Sequence, residues 1–236
     1  MATRRYWFAL AVFGGLLLLS LPLYLTSGSS CAGGGCSIGV SAPSGLLTVG
    51  QLPRPRLLEA YALLAMLIGG VLLIRRYRRA GTLGRLVPAL LAATAFAGGT
   101  AWLTATHWEG FRRPSALLET AELLLFNGAT PVLLVAVTVL ALAAGERSLP
   151  LLAFALLFGA VAYLAATYDS FYLLGRIGLP LDTLHDPDGI RQMLNIAVPA
   201  GLLLMAALIA RLAAGRAPAT ATATAGTARR GRHSKH

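Results

Sequence analysis

Few residues in this chain have chemistry beyond packing, and they fall into three groups. Asn127 and Asn195 each stand four residues before a proline, in Asn127-Gly128-Ala129-Thr130-Pro131 and Asn195-Ile196-Ala197-Val198-Pro199. Proline inside a helix removes the hydrogen bond to the carbonyl four residues back, and in both stretches that carbonyl belongs to the asparagine. Each stretch therefore offers a freed carbonyl and a side-chain amide in surroundings where lipid supplies no partner. Neighbouring helices can take up those groups around a proline kink, or a ligand can. On the second reading Asn127, Thr130 and Asn195 line a site, and Glu119 and Glu122 face its entrance, where they favour a cationic ligand or a coupling ion.

The second group is His107 and His185, with Asp182, Asp186 and Asp188 nearby in sequence to the latter. Imidazole and carboxylate are the ligands of a metal site. The run Asp186-Pro187-Asp188-Gly189 is also a strong turn signal that needs no metal. A haem held between helices calls for histidines within the apolar segments, and none of the 4 histidines lies there. No cofactor is strongly implied. The third group is Cys31 and Cys36, too widely spaced for a CxxC redox motif and set among glycines. A structural disulfide closing a loop is the reading that suits them. There is no nucleophile elbow, phosphate loop or dinucleotide fingerprint, so the sequence leans away from an enzyme.

The elements that must carry these residues are membrane spans. Of 236 residues, 56% are hydrophobic and only 12% charged, and the mean hydropathy is +0.70. A soluble core cannot hide that much apolar surface. Apolar stretches at 6–26, 57–74, 86–106, 117–144, 148–168 and 192–211 predict an all-α, polytopic bundle of about six transmembrane helices. They are separated by outer loops at 27–56, 107–116 and 169–191 and followed by a disordered basic tail at 215–236. The first stretch also has some character of a cleaved signal peptide, although its apolar run is long for one.

The net charge of +11 comes from arginines clustered between apolar runs. That pattern reports topology rather than nucleic-acid binding. With the amino terminus in the cytoplasm, only Arg54, Arg56, Arg112, Arg113, Arg176 and Arg191 of the basic residues fall outside. The positive-inside rule thus places both termini in the cytoplasm. The Ala, Gly, Leu and Arg bias suggests a GC-rich bacterial source and hence the plasma membrane.

Prolines also recur in register across the two halves, Pro22 with Pro131, Pro55 with Pro150 and Pro88 with Pro199. This is a faint sign of the inverted repeats of transporters. The leading functional expectation is a permease-like or small-ligand-binding membrane protein with its site between spans four and six. The alternatives are an accessory or assembly subunit of a larger membrane complex, associating through Gly69-Gly70 and Gly98-Gly99, and a metal- or haem-assisted envelope enzyme using His107 and His185. The expected partners are the bilayer and, on the second reading, other membrane subunits.

Overall fold

The computed structural model describes residues 6–24, 55–107, 129–167, 176 and 190–215. They form α1 (Trp7–Tyr24), α2 (Pro55–Arg79), a 3-10 turn (Leu83–Arg85), α3 (Val87–His107), α4 (Thr130–Glu146), α5 (Leu149–Thr167) and α6 (Ile190–Gly215), with no strand among the described residues. Five stretches are long and apolar enough to cross a bilayer: Trp7–Tyr24, Leu57–Arg79, Leu83–Trp102, Leu149–Thr167 and Met193–Gly215. The chain is a multi-pass helical membrane bundle. In hydrocarbon a backbone must satisfy its own polar groups, so these Leu- and Ala-rich runs are helical throughout.

Two helices outrun their expected limits. The arginines Arg75 to Arg79 continue α2 beyond residue 74, because basic side chains in a last helical turn complement its negative end and can reach the polar interface. Likewise α6 continues past 211 to Gly215. The fourth span departs in the other direction. A span was expected over 117–144, with Pro131 kinking it; Ala129 is non-helical and α4 begins at Thr130 with Pro131 in its first turn. Residues 117–128 lie outside the described part.

Apolar side chains surround each helix, so the seams are defined by size and spacing. On α6 the buried face is Ile196, Ala200, Leu203, Ala207 and Ala210, and on α5 it is Leu151, Ala155, Phe158, Ala162 and Ala165. Steps of four and three residues are those of left-handed helix packing, and alanines let backbones approach where no hydrophobic force drives association. Leu156, Leu157, Met205, Leu208 and Ile209 point outward toward lipid.

The helix α1 packs along α6 and also meets α2 and α4, while α3, α4, α5 and α6 pack in sequence. Contact between α1 and α6 is close at Gly14, where a Cβ would lie 2.9 Å from Leu204 Cγ and 3.1 Å from the Ala200 carbonyl oxygen.

One end of the bundle gathers the arginines. The Arg76 guanidinium lies 5.6 Å from the Phe8 ring centroid and that of Arg211 5.4 Å from Trp7. Arg85 Nη1 is 3.4 Å from Glu146 Oε2. These contacts bring the start of α1, the ends of α2, α4 and α6, and the 3-10 turn to the same level, so consecutive helices alternate in direction. At this end Gly145 abuts the Arg85 backbone carbonyl so closely that a Cβ there would collide with it. Arg147 closes α4 in the left-handed region at φ 50°, its N–H bonding the Ala143 and Ala144 carbonyls.

Candidate functional site

The start of α4 at Thr130 sets up the site. Thr94, Thr100, Thr138 and Thr167 each donate a side-chain hydrogen bond to the carbonyl four residues back, at 2.7–2.9 Å. This is the usual resting place of a threonine hydroxyl in a spanning helix. Thr130 is the first residue of α4 and has no preceding turn of that helix to bond. Its side chain is only 2% exposed, and Oγ has no hydrogen-bond partner. A buried hydroxyl without a partner costs on the order of 1–3 kcal/mol, so this atom marks a place where something else can bind.

Thr130 lines a cavity of about 210 Å³. α1 contributes Phe13, Leu17, Ser20 and Tyr24 to its walls, and α2 contributes Leu58, Tyr61, Met66 and Gly70. Leu86 follows the 3-10 turn, α3 adds Leu90, Thr94 and Phe96, and α4 adds Pro131, Leu134 and Thr138 beside Thr130. Among the described residues no charged side chain lines it. Besides Thr94 and Thr138, two more hydroxyls donate to backbone: Ser20 Oγ to the Leu17 carbonyl at 2.7 Å and Tyr61 Oη to the Leu16 carbonyl at 2.5 Å. The walls are therefore apolar and studded with oxygens whose lone pairs remain available.

The expected site residues divide accordingly. Thr130 is on this cavity. Asn195 is buried at 3% exposure on α6, is not among the cavity's described lining, and already has a partner. The helix α1 runs beside both α4 and α6, so the described cavity belongs to spans one to four rather than to a cleft between four and six. Asn127, Glu119 and Glu122 lie outside the described residues. The same holds for His185, Asp182, Asp186, Asp188, Cys31 and Cys36, and for the side chain of His107, the last residue of α3. Among the described residues no group of three or more His, Cys, Asp or Glu comes together.

Sequence reasoning did not single out Ser20, Tyr24, Tyr61, Thr94 or Thr138. A lone hydroxyl in a span is ordinary, and only the packing of α1 and α2 against α3 and α4 makes these five face a common space. Compared with protein-family models, curated proteins and solved structures, the chain finds no match.

Proposed function

We propose that this chain is a permease-like, small-ligand-binding protein of a bacterial plasma membrane, and that the cavity among α1 to α4 is its site. The observation that carries the reading is the buried, unpartnered Thr130 hydroxyl on the wall of that cavity. Polar groups at a helix start inside an apolar bundle are costly unless they find a use. On this reading Asn127, Glu119 and Glu122, which precede Thr130 in the same span, form the approach. The arginine-bearing end is cytoplasmic by the positive-inside rule, and Cys31 and Cys36 form a disulfide on the opposite side. α1 is retained rather than cleaved, which is supported by its packing along α6, α2 and α4.

The test is to purify the full chain in lipid nanodiscs and extract it for mass spectrometry of bound small molecules. A species enriched over the surrounding lipid is expected. It should be lost in Ala93→Phe and Ala65→Phe, which fill the cavity, while thermal unfolding remains cooperative. Equal recovery from wild type and both variants would refute the site.

A second reading, an accessory subunit, is favoured by one observation. Gly98 and Gly99 are exposed on α3, and a Cβ on either would meet nothing within 4 Å. A partner helix could approach there closely. By contrast Gly69 is buried against Leu16 and Val12 of α1. Pull-down in mild detergent separates the readings: a stoichiometric partner lost in Gly98→Leu would favour the subunit.

A further inference from the structure

Resting on the cavity reading, we infer that the occupant is an uncharged amphiphile drawn from the bilayer, with a hydroxyl as its polar end. The argument is an inventory of donors and acceptors. Ser20, Tyr61, Thr94 and Thr138 have directed their protons to backbone carbonyls, so toward the cavity they can only accept, while Tyr24 is the remaining hydroxyl on the walls beside Thr130. Thr130 Oγ is buried and unpartnered, and its proton is unused. A ligand hydroxyl meets both conditions, because it has one proton to give and lone pairs to receive. It accepts from Thr130 and donates to one of the acceptor oxygens. A carboxylate would bring a charge to walls that are otherwise apolar, and an alkane would leave Thr130 as it is.

Entry from the lipid phase follows from the packing. α2 packs on α1 and on the 3-10 turn, whereas α3 packs on α4 and on the same turn. Both helices line the cavity. Leu63, Leu64 and Leu67 on α2 and Leu91 on α3 are exposed, so the outer surface of the two helices that wall the cavity is apolar.

The experiment uses the full chain in nanodiscs with three photoactivatable probes at equal mole fraction: a diazirine-bearing hexadecanol, its methyl ether, and the matching palmitic acid. Cross-linked peptides are quantified by mass spectrometry. The alcohol should label peptides of α1 to α4 about fivefold more than the ether, the size of one net hydrogen bond. Thr130→Val should bring the alcohol down to the level of the ether, and Thr130→Ser should restore it. Ala93→Phe should suppress labelling by every probe. Ether or acid labelling as strong as the alcohol's, still suppressed by Ala93→Phe, overturns the hydroxyl assignment and leaves the cavity as a site. Labelling of these helices untouched by Ala93→Phe overturns both. Each variant is compared at matched thermal midpoint, so that unfolding is not counted as lost binding.

Discussion

The two asparagine–proline stretches share a spacing and have opposite fates. At the first, a helix begins: Ala129 is non-helical, and Pro131 sits where its missing N–H would have had no helical partner anyway. At the second, Pro199 lies inside a continuous helix from Ile190 to Gly215. The next residue, Ala200, is fully buried and turns its carbonyl toward Gly14 of α1. In one place Thr130 and Pro131 border a cavity, and in the other the residue after the proline is covered by a neighbouring helix. Proline spacing alone does not make a ligand site; what stands opposite the freed groups decides it.

That contrast can be tested by substitution, and the largest effect should come from the covered side. Gly14→Leu drives a side chain into Leu204 and the Ala200 carbonyl, and backbone cannot move aside cheaply. Overpacking costs typically 1–3 kcal/mol, occasionally more, so a loss of about 3 kcal/mol is expected in denaturant unfolding in detergent. An unaltered midpoint would show that the α1–α6 seam is not as close as described.

Asn195→Ala should act on the same side more gently. If Asn195 binds only neighbouring protein, its removal lowers stability by about 0.6 kcal/mol on average and at most roughly 1.7, with ligand recovery unchanged. Loss of ligand at full stability would return Asn195 to the site.

The smallest stability effects belong to the first stretch. Pro131→Ala adds an N–H in the first turn of α4, where such donors are unsatisfied in any helix, so a change under about 0.5 kcal/mol is expected. Thr130→Val removes a buried hydroxyl that has no partner, and its stability should be unchanged or up to about 1 kcal/mol higher. Both are read from thermal unfolding beside wild type. A clear destabilisation by Thr130→Val would mean that the hydroxyl is satisfied within the protein, and the contrast would collapse.

Much of the bundle was legible in the sequence, because a long uncharged run in lipid has little choice but helix. The fifth helix, for example, ends within a residue of its expected limits at both ends. The arginines Arg75 to Arg79 misled because they read as a loop, whereas long basic side chains let a helix persist into the interface. The seams were less legible still. Met205 and Leu208 face lipid and Leu203 faces the core, yet all three are similarly apolar, since hydrocarbon and protein interior ask for the same residues. Thr130 could be picked out by type. That it stands alone while Asn195 is engaged depends on which helices become neighbours, and a single sequence carries no direct record of that.

The seam between α1 and α6 also has a consequence for biogenesis. The first described helix takes the last as its most extensive partner, so the ribosome must finish nearly the whole bundle before α1 can be fully covered. At synthesis rates of about 5–20 residues per second, that delay is on the order of ten seconds or more. Throughout it Gly14, with no side chain of its own, leaves a bare strip of α1 backbone facing lipid or an insertion factor. A nascent chain stalled before α6 emerges should therefore be held by the membrane insertion machinery, or recognised by membrane proteases, far longer than one stalled just after it.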